Sequence, residues 1–309
     1  MNGHSTDTRP CAIIGCGLIG QSWAALILHC GHDVLLWEPD AALRSELPEL
    51  VARLGSQLAK ISAPAATPGR PTLASSLEEA VSGAWLIQEN APENIALKAR
   101  IYEEIEEFAP DDVIVASSTS SLTWPELTEG LRFPERLITA HPFNPPHLMP
   151  LVELYGVDEA RIARADTFYR TLGRETVRLS RPATGHIANR LASALWREAV
   201  HIVAEGIADV SAVDSALRNG PGLRWSVVGA HMAYHLGGGE GGLRQYLDHL
   251  GASQERRWQS LGTPLLTPDI CAALIAGVDA EARGRTIEEL ARMRDAGLIA
   301  VQLARRADS

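Results

Sequence analysis

Residues 11–31 read CAIIGCGLIGQSWAALILHCG, and the reading of this stretch decides the fold. A short apolar run (11–15) suits one buried strand. A longer run (18–31) has helical length and is stopped by Gly31. Between them, GCGLIG sets Gly15, Gly17 and Gly20 at the G-x-G-x-x-G spacing. Gly15 permits a tight turn, Gly17 allows close approach to the backbone, and Gly20 lets helix pack on strand. Glycines at this spacing also occur in ordinary turns. The preceding strand and following helix are what turn the spacing into a dinucleotide-binding signature.

Working outward, DVLLWEP (33–39) reads as a second strand halted by Pro39, and ALRSELPELVARLGSQLAK (42–60) as mostly helix. A Pro/Ala/Thr-rich connection (62–72) and a short helix lead to the strand in WLIQENAP (85–92). NIALKARIYEEIEEFA (94–109) is an amphipathic helix, and DVIVASSTSS (112–121) is a strand running into a serine-rich loop. Strand and helix in alternation predict a parallel sheet with right-handed crossovers. Strand signals cease near LSRPAT (179–184), and helical patterns take over at 185–206, 209–218, about 240–260 and 268–305. The expected architecture is an α/β Rossmann-type dinucleotide-binding domain over 8–182 and an all-α domain over 183–309. GGGEGG (237–242) is expected to be a tight helix–helix turn.

The helix that opens at Leu18 and Ile19 offers free N–H groups to a pyrophosphate. Glu38 ends the second strand, where a carboxylate accepts ribose hydroxyls and repels a 2′-phosphate, so NAD is expected in preference to NADP. The net charge of −10 argues against nucleic acid or an anionic membrane as partner. No segment supplies the run of roughly 18 apolar residues that a membrane helix needs. The four cysteines, Cys11, Cys16, Cys30 and Cys271, lack metal-type pairing and a disulfide framework, so no metal is expected and a reducing cytoplasm fits. The polar start, MNGHSTDTRP, reads as a short loose tail and not a signal peptide.

AHPFNPPHLMPLVEL (140–154) carries four prolines, so neither helix nor central strand explains it. His141 begins the stretch, and Glu153 interrupts a sequence that otherwise reads as buried strand. An ionised glutamate there is costly unless paired. Histidine suits the abstraction of a hydroxyl proton, and a carboxylate on its other nitrogen would hold the tautomer. A core histidine and a glutamate with separate partners would fit the same residues.

Taken together, AHPFNP with a glutamate twelve residues past the histidine, ASSTSSL upstream and GHIANRL downstream resemble the 3-hydroxyacyl-CoA dehydrogenase family. The resemblance runs in order over nearly the whole chain. It implies that His141 and Glu153 form the catalytic pair, and that Ser120 and Asn189 contact the substrate oxygens. On the cofactor side it implies Glu93, Lys98 and Asn144. Ser118 stands where the family often has asparagine, which puts an amide contact there in doubt. It also implies a homodimer through the helical domain.

Within the family the match looks nearest to small-substrate members, and most like those that oxidise L-carnitine. The alternatives are L-gulonate, as in the lambda-crystallin-like members, a 3-hydroxyacyl-CoA substrate, or a non-catalytic NADH-binding protein. Oxidation of the 3-hydroxyl of a small 3-hydroxy acid is the expected activity. The segment 40–80 mixes acids and bases almost evenly and shows no clear basic footprint for CoA. A quaternary ammonium seeks aromatic faces, for which Phe143, Trp196, Trp225 and Tyr234 are candidates. Helix packing is the commoner explanation for each of them taken alone. Arg224 would meet a substrate carboxylate or form a structural ion pair.

Overall fold

The apolar stretch after Pro10 is buried along its whole length, which an interior strand satisfies, and it forms β1 (Cys11–Ile14). Gly15, at φ 79°, turns the chain into α1 (Leu18–His29), and Gly31, at φ 91°, ends that turn of chain. The structure is a computed structural model and describes residues 7–307. Next come β2 (Val34–Trp37), α2 (Ala41–Leu58) with its N-terminus capped by the Asp40 carboxylate, β3 (Pro71–Leu73) and α3 (Leu77–Val81). β4 (Leu86–Glu89), α4 (Ile95–Phe108), β5 (Ile114–Ser117), α5 (Trp124–Thr128) and β6 (Leu137–Pro142) continue the alternation. β7 (Leu151–Tyr155), α6 (Glu159–Thr171) and β8 (Glu175–Arg178) complete the sheet.

The eight strands lie in the order β3-β2-β1-β4-β5-β6-β7-β8. β1 to β6 run parallel, β7 turns back antiparallel to β6, and β8 follows β7 in parallel. The strand order reverses between β1 and β4, the switch point at which open α/β sheets bind ligands. Successive β1 residues serve opposite faces. Cys11 and Ile13 pack in a cluster with Trp23 and Ile27 of α1 and Phe168 of α6. Ala12 and Ile14 pack with Ile101, Tyr102 and Ile105 of α4.

Residues 7–190 form one unit with 295–306, and residues 191–294 form another. The second unit is helical. It holds most of α7 (Ala188–Ala204), then α8 (Val210–Asn219), α9 (Pro221–Trp225), α10 (Ala230–Gly237), α11 (Gly242–Ser260), α12 (Pro268–Ala282) and the start of α13 (Ile287–Ala307). Among the described residues, its buried apolar side chains are Val200, Val210 and Tyr246. Trp196, Ile207, Leu223, Val227, Leu265 and Ile275 are exposed.

GGGEGG forms a tight turn between α10 and α11, with Gly239 at φ 61° and Gly242 at φ 60°. The sequence reading is corrected at four places. The connection expected at 62–72 ends in the strand β3, and β8 carried no strand signal at all. Both are sheet edges, short and rich in charge, proline or exposed positions, so they lack the apolar period of buried strands. The helix expected over 268–305 breaks where Arg283 (φ 53°) and Gly284 (φ 71°) take left-handed geometry. The tail read as loose is tied down in its described part: Asp7 pairs with Arg9 and Arg164, and Arg9 also holds Asp112. Residues 1–6 of that tail lie outside the described residues.

A Cβ at Gly20 would lie 2.1 Å from the Gly15 carbonyl oxygen, so α1 can close on the loop only with glycine there. Gly20→Ala is expected to cost about 1–3 kcal/mol, the usual range for overpacking, read as a lower urea midpoint at unchanged slope.

Candidate active site

Three loops at the carboxyl ends of the parallel strands, those after β1, β4 and β5, are fastened by glutamates. The first is GCGLIG. Gly15 lies so close to Asn90 that a Cβ would sit 3.0 Å from its backbone, whereas a Cβ at Gly17 would meet nothing within 4 Å. Gly17 is the N-cap of α1 and supplies no side-chain cap, so Leu18 and Ile19 open a helix whose first N–H groups are left to a ligand. Leu18 is exposed and Ile19 is packed partly on the core. Glu38, 8% exposed, accepts the Cys16 N–H at 2.8 Å and the Asp40 N–H at 3.1 Å. An open backbone cradle beside a carboxylate at the end of β2 fits the pyrophosphate and ribose of NAD. Cys16 is buried, and burial pushes its thiol up to about 12, with Glu38 adding to the rise, so it acts as apolar filling.

β6 and β7 pair in antiparallel register with His141 directly opposite Glu153. His141 Nδ1 lies 2.8 Å from Glu153 Oε2, and both side chains are almost completely buried. The other Glu153 oxygen accepts the N–H groups of Ile187 at 2.7 Å and Ala188 at 3.0 Å. Burial by itself would raise the Glu153 pKa. The hydrogen bond from His141 and those two N–H groups outweigh it and hold the carboxyl below its ordinary value. Glu153 is therefore an acceptor only, so His141 Nδ1 carries the proton. Nε2 then takes the amide N–H of Asn189 at 3.4 Å, and both contacts agree on one tautomer. The prolines between the strands form a held bridge. Arg174 donates to the carbonyls of Pro146 and Met149, Gln302 to that of Leu148, and buried His147 spans Ser22 and Gln57. Phe143 is half-buried and Asn144 exposed on this bridge.

Glu93 gathers the serine loop. Its Oε1 accepts from the N–H groups of Ser120 (2.9 Å) and Ser121 (2.7 Å) and from the Thr119 hydroxyl (2.7 Å). Burial would raise its pKa, but these bonds and the Lys98 charge win, leaving it at about 2. Ser120 is exposed, with its hydroxyl 3.4 Å from Glu93. Lys98 points inward. It is 1% exposed and spends Nζ on Glu89 at 2.7 Å and the Ala91 carbonyl at 3.1 Å, with Glu93 at 3.9 Å. Glu89 also accepts from Tyr102, Ser117 and the Ala91 N–H. Ser118 donates to Asn90 Oδ1 at 2.7 Å and accepts from Gln88 at 2.8 Å, so an amide stands beside Ser118, contributed by the end of β4.

Sequence reasoning missed Glu89, Asn90, Gly185 and His186. Glu89 had a signal, since an acid closing the apolar run WLIQE breaks the same rule that exposed Glu153. The Gly185–His186 turn, with φ of 76° and 49°, aims the first N–H groups of α7 at Glu153, and nothing in local sequence announces that geometry. Trp196, Trp225, Arg224 and Tyr234 are exposed on three separate helices, α7, α9 and α10, and the Tyr234 ring packs at a tilt against Tyr246, centroids 5.0 Å apart. Among the described residues no group of acids, histidines or cysteines could hold a metal ion.

A dinucleotide crevice and a buried imidazole, both at the carboxyl ends of the same strands, are the equipment of a nicotinamide-dependent dehydrogenase acting on a CH–OH group. The family model for the 3-hydroxyacyl-CoA dehydrogenase NAD-binding domain matches residues 10–182, and that for its C-terminal domain matches 185–266. An L-carnitine dehydrogenase of Nocardiopsis dassonvillei is 40% identical over 96% of this chain and 91% of its own. One of Streptomyces griseus subsp. griseus is 41% identical over 96% and 89%. Among solved structures, a 5-formyl-3-hydroxy-2-methylpyridine 4-carboxylic acid 5-dehydrogenase, an NAD⁺-dependent dismutase, superposes with a TM-score of 0.83. It is 27% identical and covers 95% of this chain and 97% of that one. The chain belongs to the 3-hydroxyacyl-CoA dehydrogenase family. It is an oxidoreductase that acts on the CH–OH group of a 3-hydroxy acid with NAD as acceptor.

Lys98→Met leaves the Glu89 carboxylate buried without its cation. It is expected to cost about 3–5 kcal/mol, with much of the loss recovered in the double variant with Glu89→Gln, both read by urea denaturation. Because the folded pKa of Glu93 is depressed, its contribution is complete above the unfolded value near 4.5 and is lost as pH falls toward about 2. Glu93→Gln should therefore shrink the difference in urea midpoint between about pH 5 and about pH 3.

Proposed function

We propose that the protein oxidises the 3-hydroxyl of L-carnitine to 3-dehydrocarnitine, with NAD as acceptor. The observation that carries the substrate is the pair of L-carnitine dehydrogenases at 40% and 41% identity, aligned over 96% of this chain. The chemistry is supported by a His141 tautomer whose Nε2 lone pair is the one available to a hydroxyl.

In this reading His141 Nε2 takes the hydroxyl proton. NAD, when bound, would supply the hydride acceptor for the carbon that bears this hydroxyl. Glu153, already ionised, keeps the ring oriented and stabilises the imidazolium as it forms, without taking the proton itself. Asn189 and Ser120 hold the reacting oxygen. Gly15, Gly17, Leu18, Ile19 and Gly20 carry the pyrophosphate, Glu38 the adenine-side ribose, and Glu93, Lys98, Ser118 and Asn144 the nicotinamide side. Lys98 would serve from behind, through Glu93, since its ammonium is turned inward. Phe143, Trp196, Trp225 and Tyr234 are the aromatic faces offered to the trimethylammonium, and Arg224 the cation offered to the carboxylate.

The helical unit would be the dimer surface of a homodimer. Its exposed tryptophans, leucines and valines outnumber its buried apolar side chains, which is what a face covered by a second copy looks like when seen alone. A cytoplasmic location without nucleic-acid or membrane partners is supported by the net charge of −10 and the free cysteines. Among the described residues, no helix is long and apolar enough to cross a membrane.

NADH absorbance should rise with NAD and L-carnitine, and far less with L-gulonate or a 3-hydroxyacyl-CoA. Preference for either of those would replace the substrate. His141→Gln is expected to lower kcat by about 10²–10⁴-fold with NADH binding retained, and a fully active variant would refute His141 as the acceptor. Light scattering should report twice the chain mass.

A further inference from the structure

One buried titratable ring at the site has no part in the reaction as proposed. His186 is 3% exposed, and its backbone, at φ 49°, occupies the left-handed region that residues other than glycine rarely adopt. That backbone places the ring between two parts of the site. Its Nε2 lies 3.0 Å from the Thr119 carbonyl oxygen, in the serine loop. Its ring centroid lies 4.7 Å from that of His141, with the planes tilted by 39°. A carbonyl can only accept, so His186 Nε2 carries a proton. On the other side, the same turn of chain delivers the Ile187 and Ala188 N–H groups to Glu153.

His141 is fixed along one direction only, by its Nδ1 bond to Glu153. A ring held by one strong hydrogen bond keeps freedom to rock about it, and the Asn189 contact, at 3.4 Å, is a weak second restraint. The neighbouring imidazole removes that freedom. We propose that His186 is a positioning residue for the oxidation: its tethered ring is the wall that sets the plane of His141, and Thr119 couples that wall to the loop bearing Ser120. The inference rests on His141 as proton acceptor.

An uncharged His186 is what the task requires, because a second imidazolium against His141 would oppose the proton it receives. The groups facing the ring are His141 on β6, Glu153 on β7, Glu93 beyond β4 and the Thr119 carbonyl beyond β5. Burial is the largest influence and, with His141, lowers the His186 pKa. The carbonyl and the two glutamates oppose this without reversing it.

Three substitutions separate wall from tether. His186→Ala removes both and should lower kcat about 10–100-fold, while KM for NAD moves less than about twofold. His186→Phe keeps the wall and should recover most of kcat, yet leave KM for the hydroxy acid raised about 3–10-fold because the loop is untied. His186→Gln can reach the Thr119 carbonyl and should restore KM without restoring kcat. Equal losses in all three variants, or none, overturn the inference. In ¹⁵N-histidine spectra of the unaltered protein, His186 should be neutral with its proton on Nε2, and a proton on Nδ1 overturns it. That measurement needs no turnover. Should the unaltered protein oxidise no 3-hydroxy acid, the proposed function falls and the positioning role with it, whereas a proton on Nδ1 in an active protein overturns the inference about His186 alone.

Discussion

A carboxylate cut off from water must find donors, and the site is organised around that requirement at Glu153. Its two oxygens take one imidazole N–H from β6 and two backbone N–H groups from the start of α7. Three consequences follow from one satisfied charge. The His141 tautomer is set, the first turn of α7 is anchored at its electropositive end, and Asn189 arrives within reach of His141 Nε2. Removing the charge would release all three together, because no other carboxylate bonds to that imidazole or those two amides among the described residues.

The same device recurs around the crevice. Glu38 takes the Cys16 N–H of the glycine loop, Glu89 takes the Ala91 N–H, and Glu93 takes three successive N–H groups of the serine loop, from Ser120 to Leu122. Loops over a ligand site are short of secondary-structure partners for their backbone, so side-chain acceptors must replace them. Glutamates at or just beyond strand ends do so here. Their placement also explains Lys98, one of two lysines in the chain, which is spent inside the protein balancing Glu89 rather than exposed.

Much of the first unit was legible because buried parallel strands and their helices have strong periods. β1, β2, β4 and β5 each announced themselves as apolar runs, and the glycine spacing between β1 and α1 had its meaning set by those flanks. The edge strands were not legible, since Pro71–Leu73 and Glu175–Arg178 carry exposed or charged residues that read as connection. His141 and Glu153 stood out as a histidine among prolines and an acid within a strand, and the fold brings them to 2.8 Å. His186 did not stand out. Its importance comes from a backbone angle and from two neighbours that are 45 and 67 positions away in the chain.

The sequence alone determined the alternation of strands and helices, the glycine turn that opens a dinucleotide site, and which polar residues would be costly to bury. These are local properties, set by side-chain period, backbone freedom and desolvation. Only the tertiary structure decided which partners satisfy those costly groups: that β7 runs antiparallel to β6, that Glu153 faces His141 and not solvent, and that α7 begins at its carboxylate. The physical reason is that a hydrogen bond between distant residues depends on register and chain reversal, and neither is written in the residues that make the bond.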